Sequence, residues 1–207
     1  MKQKPMLFKE LTKRSYQKSR EIIGIIGTHH GVGVTHTALM LAFYFGGELG
    51  RKTAILEYNT NQDMELIREA YEWKNNVEGQ FYFQNITCYE EVKPEAFPEI
   101  LTRDYECIII DFGTASDRIQ REFLGCTKRI VISGRSAWDL AKLERFTKDY
   151  QGLVIGESCF YFIPQADNKT ITTISNKLKR KTWTVPLNYE PTRINEESYY
   201  FFKNIFK

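Results

Sequence analysis

The sequence predicts an α/β protein, a mainly parallel sheet flanked by helices, and three observations predict it. Short runs rich in β-branched residues alternate with longer helical patterns. The strand-like runs are apolar at consecutive positions, as strands covered on both faces are. The first of them ends in a glycine-rich loop that leads into a helix, "GIIGTHHGVGVTHTA". That loop lies at the carboxyl end of its strand, where open parallel sheets bind ligands.

The elements follow in order. "EIIGIIG" (21–27) is a buried strand closed by Gly27, and "THTALMLAFYF" (35–45) a helix with Leu39, Ala42 and Phe43 on one face. "KTAILEY" (52–58) is the second strand, followed by a polar helix across 63–73. "QFYFQNITCY" (80–89) reads as one strand. "YECIIIDFG" (105–113) is the most continuous apolar strand and ends in an acid and a glycine. "KRIVIS" (128–133), "SCFYFIP" (158–164) and "TWTVP" (182–186) complete the sheet, and "NEESYYFFKNIF" (195–206) is a closing helix. Its aromatics, Tyr199, Tyr200, Phe201, Phe202 and Phe206, exceed what one helix face can hold. Most are expected in the core, with the remainder free for a partner.

Composition narrows the function classes. A chain of 207 residues, 42% hydrophobic, can bury one substantial core. Residues 21–207 are expected to form a single domain behind a basic leader, 1–20. A net charge of +3 gives no bulk attraction for nucleic acid, and the basic cluster "NKLKRK" (176–181) reads as a solvated face. The leader sets Lys2, Lys4, Lys9, Lys13, Arg14, Lys18 and Arg20 against Glu10 alone, with Met6, Leu7, Phe8 and Leu11 among them. Two readings stay open for it: contact with an acidic partner or anionic membrane surface, and a solvated tail. Every apolar run is far shorter than the ~20 residues of a spanning helix. Cys88, Cys107, Cys126 and Cys159 form no CxxC pair and read as thiols of a reducing compartment. The expected location is the cytoplasm, at most peripheral at a membrane.

The loop 27–36 is the chemical question. Gly27, Gly31 and Gly33, with Val32 between them and a helix from Thr35, suit backbone N–H groups aimed at phosphates. His29, His30 and His36 fall within eight residues, but adjacent loop histidines rarely converge on a metal, so packing or hydrogen-bonding roles are expected.

The loop resembles the deviant phosphate loop of the ParA/MinD superfamily of P-loop ATPases, whose pattern is KGGxGK[ST]. His29 stands at the first lysine, His30 at the first glycine, Val34 at the second lysine, and Thr35 matches the hydroxyl residue. "ALMLAFYFGGELGRKTAILEYN" is similar to the family's helix and second strand, with Glu57 and Asn59 where the family has Asp-x-Asp. "YECIIIDFGT" resembles the Walker B strand, with Asp111 at its acid, and "GCTKRIVISGRSAWDLAKLERF" and "WTVPLNYE" resemble later stretches. The likeness covers residues 20–207.

The resemblance implies a P-loop NTPase architecture, a nucleotide cradle at Gly27 and His29–His36, and a Mg²⁺ site at Thr35 and Asp111. Asp111 has a rival role, capping the next turn at Gly113, Thr114 and Ser116. The lysines that would neutralise phosphate charge in the transition state are missing, Val34 is uncharged, and an ordinary imidazole is mostly neutral at pH 7. No catalytic residue is assigned; the reading is a pseudo-ATPase holding ATP or ADP with Mg²⁺, or no nucleotide. Superfamily members with eroded loops include TadZ-like proteins, so the resemblance implies a localisation or assembly factor with protein partners such as pilus or secretion machinery, and a homodimer. A slow Mg-dependent ATPase switch and a pure interaction module are the alternatives.

Overall fold

The computed structural model describes residues 20–206 except 74 and 155, with only the backbone at 75, 76 and 117. The basic leader through residue 19 lies outside the described residues. Among them, nine strands form one sheet in the order β3-β4-β5-β2-β6-β1-β7-β8-β9. The strands are β1 (Glu21–Gly27), β2 (Thr53–Glu57), β3 (Asn75–Val77), β4 (Gln80–Phe83), β5 (Ile86–Tyr89), β6 (Cys107–Thr114), β7 (Lys128–Ile132), β8 (Cys159–Pro164) and β9 (Thr182–Val185). From β5 to β9 every pairing is parallel. The pairs β3–β4 and β4–β5 are antiparallel.

The helices are α1 (Val34–Ala42), α2 (Asp63–Ala70), α3 (Phe97–Thr102), α4 (Gln120–Leu124), α5 (Ala137–Asp149), α6 (Asn168–Leu178) and α7 (Glu196–Ile205). Side chains alternate between two cores. Ile109 of β6 joins Ile23, Ile25 and Phe202 on the face of α1 and α7. Ile108 and Ile110 join Ile26, Val131 and Leu143 on the face of α3 to α6. Both sets are fully buried, so the central strands read as unbroken apolar runs.

Two local departures from the sequence expectations have physical causes. The stretch 80–89 is a hairpin, not one strand, because Gln84 takes a positive φ of 51° between β4 and β5. The expected helix 35–45 is α-helical only to Ala42 and continues as a π-helix, Phe43–Glu48. That wider turn lets three consecutive aromatics bury in different directions. Phe43 meets Trp73 and Phe83, Tyr44 meets Tyr199 and Phe202, and Phe45 meets Phe206. On α7, Phe202 and Phe206 are buried while Tyr200 faces outward, dividing core from surface as expected. No helix among the described residues is long and apolar enough to cross a membrane.

Ile109→Ala, removing a fully buried side chain between β1 and β2, is expected to cost about 3 kcal/mol in urea unfolding. Leu66→Ala on the outer face of α2, where Leu66 is 62% exposed, is expected to stay within about 0.5 kcal/mol.

Candidate nucleotide site

The loop between β1 and α1 is anchored where Thr28 N–H donates to Ile132 O of β7 at 2.9 Å. Gly27 is required by close approach: a Cβ there would stand 2.8 Å from a Val34 methyl and 2.9 Å from a Val32 methyl. Both valines are buried, so the residue in the lysine position packs against the strand end. Gly31 and Gly33 have φ of 78° and 96°, the left-handed region that suits glycine. His30 needs no such conformation, so its Cβ fits the loop without backbone strain. Residues 30 and 31 form a hydrogen-bonded turn, and among the described residues no acceptor is paired with the amides of His29, His30, Gly31 and Gly33. Those donors border a cavity of about 240 Å³, walled also by Thr35, Asp63, Gly113 and Thr114.

The three histidines diverge. His29 Nε2 lies 3.1 Å from Asp139 Oδ1, and its Nδ1 lies 2.9 Å from the Thr28 hydroxyl. Burial, then the positive charge of Lys142, holds the His29 pKa below its ordinary value against the pull of Asp139. The ring is therefore mostly neutral at pH 7, with both nitrogens engaged, and the Thr28 hydroxyl beside Nδ1 donates to Ser133 Oγ at 3.1 Å. Asp139 is itself fixed in a capping box with Ser136 at the start of α5. His36 donates from Nε2 to Asn188 O at 2.7 Å, and His30 is exposed. No cluster of three His, Cys, Asp or Glu suited to a metal occurs among the described residues.

The acids sit at the other end of the cavity. The Asp111 side chain is fully buried. Its Oδ1 accepts from Gly113 N–H at 2.8 Å and Asn59 Nδ2 at 3.1 Å, while Oδ2 has no partner. The turn-capping role is thus present, but it uses one oxygen only. Burial pushes the Asp111 carboxyl up to about 6; the Thr35 hydroxyl and Gly113 amide oppose this, and Glu57 and Asp63 add to it. Thr35 has one hydroxyl proton, and it goes to Asp63 Oδ2 at 2.9 Å.

Glu57 and Asn59 have separate roles. Glu57 Oε1 accepts from the amides of Asp63 (2.7 Å) and Met64 (3.4 Å), capping α2, and Oε2 accepts from Glu91 N–H at 3.2 Å. Asn59 steadies Asp111. Asp63, Asp139 and Asn188 were not among the site residues expected from the sequence. Ser136 followed three residues later by Asp139 is a visible helix-start signal, and Asp63 stands in the first turn of the expected helix. Nothing in the sequence marks Asn188, which acts through its backbone carbonyl.

A glycine loop leading from a central parallel strand into a buried helix, beside a strand-end acid, is the arrangement of the P-loop α/β architecture. The chain has the fold of the ParA/MinD ATPases. A plasmid partition protein of Borrelia burgdorferi bound to AMPPNP superposes with a TM-score of 0.65 at 18% identity, over 91% of this chain and 97% of that one. MinD of Pyrococcus horikoshii with Mg-ADP gives 0.60 at 15% identity, over 87% and 86%. Aquifex aeolicus MinD in its complex with MinC gives 0.60 at 14%, over 82% of each chain. No protein-family model and no curated sequence matches the chain.

The His29 ring is expected to titrate below 6.5 by NMR. Lys142→Ala, which removes the cation that opposes protonation, is expected to move that midpoint up. Asp139→Asn, which removes the favourable anion, is expected to move it down.

Proposed function

We propose that this protein holds a nucleotide polyphosphate with Mg²⁺ in the loop 27–36 and turns it over little or not at all. Its work is then to bind partners as a localisation or assembly factor, in a conformation that the ligand favours. The observation carrying this reading is the split within the site. Amides of the cradle are free, yet Val34 is packed away and both ring nitrogens of His29 are occupied. Binding by backbone donors survives such changes, whereas loss of a preorganised transition-state cation commonly costs about 100-fold or more in rate.

The residues fit a magnesium ion. Asp111 Oδ2 is a buried acceptor without a partner, and Thr35 stands between it and Asp63, so Thr35 and Asp111 would hold the ion. Bound there, Mg²⁺ would neutralise phosphate charge that no lysine reaches. Of the solved proteins of this fold, one is bound to AMPPNP, one is complexed with Mg-ADP and one is in complex with a protein partner. Partner contact has candidate surfaces at the rim: Trp138, 69% exposed beside Asp139, and Tyr189, 87% exposed beside Asn188. Each flanks a residue that holds a loop histidine. A second copy of the chain and an assembly such as pilus or secretion machinery are both in keeping with that placement.

Calorimetry with ATP and ADP, with and without Mg²⁺, tests the reading. Mg-dependent binding is expected, with phosphate release no faster than a blank. Release that Asp111→Ala abolishes would make the protein a slow ATPase switch instead. No binding at millimolar nucleotide would leave a pure interaction module.

A further inference from the structure

The loop offers donors but no free cation, so a bound polyphosphate needs its counter-charge from elsewhere. The loop cavity is also small: about 240 Å³ falls below the roughly 300–1,000 Å³ of small-molecule sites. A second cavity of about 550 Å³ adjoins it, sharing His30, Asn61 and Thr114. Tyr58 and Phe112, whose rings meet edge to face at 5.5 Å, line this second space.

Its described lining includes Lys93 and Arg118, whereas that of the loop cavity has no lysine or arginine. Arg118 lies on the 3-10 turn Asp117–Ile119 just beyond β6. It is exposed and has no hydrogen-bond or ion-pair partner among the described residues. Lys93 also lines the cavity, paired with Glu91. Glu91, paired with Lys93, is the one acid of the described lining, and the carboxylates of Glu122 and Glu95 act on Tyr58 from beyond it. Asp63 and Asp111 meanwhile gather at Thr35 without an ion-pair partner among the described residues. Carboxylates thus gather at Thr35, while a guanidinium without a described partner lines the adjoining cavity.

We propose that the Tyr58–Ile119 cavity is an anion subsite in which Arg118, with Lys93 beside it, binds the negatively charged groups of a polyphosphate seated on the loop. The inference rests on the nucleotide reading above and names the residues that stand in for the absent lysines. A guanidinium suits the task, since its planar fork matches phosphate oxygens and stays charged at any working pH.

The test is calorimetry at low salt with inorganic tripolyphosphate and with ATP, each with Mg²⁺, on wild type, Arg118→Ala, Arg118→Lys, the double variant Arg118→Ala/Lys93→Ala, and the surface control Leu66→Ala. Both cations are exposed, so the variants are expected to melt with the wild type. Arg118→Ala is expected to weaken binding about tenfold, Arg118→Lys less, the double variant more, and Leu66→Ala not at all. Equal weakening for both ligands identifies a subsite for any polyphosphate; weakening for ATP alone identifies a nucleotide subsite. Unchanged affinity in the double variant, with binding lost in folded Gly33→Val, overturns the subsite and leaves the loop reading standing. A wild type that binds neither ligand overturns both.

Discussion

Ile108, Ile109 and Ile110 of β6 are buried on alternate faces of the sheet, and Asp111 follows them with its backbone still paired to β1 and β2. The site grows from this continuity. Helices cover both faces of the central strands, so their polar groups have one outlet, the carboxyl ends. Asp111 stands at that outlet, held by its own strand through Gly113 and by β2's extension through Asn59. A carboxyl this buried is tolerated because one oxygen is satisfied twice, and because burial favours its neutral form. The unsatisfied oxygen is where the fold leaves room for chemistry.

A valine at position 34 bears on more than one contact. With Val34 turned onto Gly27, the α1 end of the cradle becomes part of the core and the loop keeps its shape through packing. Asp63 and Asp111 then share Thr35 with no cation between them, and Glu57 is drawn into capping α2. The loop's donors remain those of an anion site, while its floor has become acidic. A divalent cation reconciles the two halves, since it satisfies the floor and lets phosphate approach the amides. Metal and anion are therefore expected to depend on each other more strongly here than in a loop with its own lysine.

Most of the fold was legible because the apolar runs are long and the helices between them periodic. Where the reading slipped, the cause was local. Gln84 and Asn85 gave too weak a turn signal to divide 80–89, and Phe43–Phe45 matched a helix whose width only the packing decides. The loop itself was legible from its glycines, and so was the uncharged Val34 within it. The fate of His29 was not, because it depends on Asp139, more than a hundred residues away and placed by the cap of another helix. Asp63 was equally out of reach: its bond to Thr35 exists because Glu57, fully buried, fixes the first turn of α2.

The same long-range ties make the loop mechanically connected to the rim. His29 is bound to Asp139 beside exposed Trp138, and His36 to the Asn188 carbonyl beside exposed Tyr189. A ligand biases a conformation only through its differential affinity for the alternatives, and here the alternatives would include these two hydrogen bonds. An anion near His29 would favour the imidazolium and tighten the pull on Asp139, opposing the burial and the Lys142 charge that keep the ring neutral. A shift of the first turn of α1 would stretch or release the His36 bond and move the segment that carries Tyr189. Ligand chemistry at the loop and the presentation of two large aromatic side chains are thus joined by one hydrogen bond each, a coupling that needs no hydrolysis to operate.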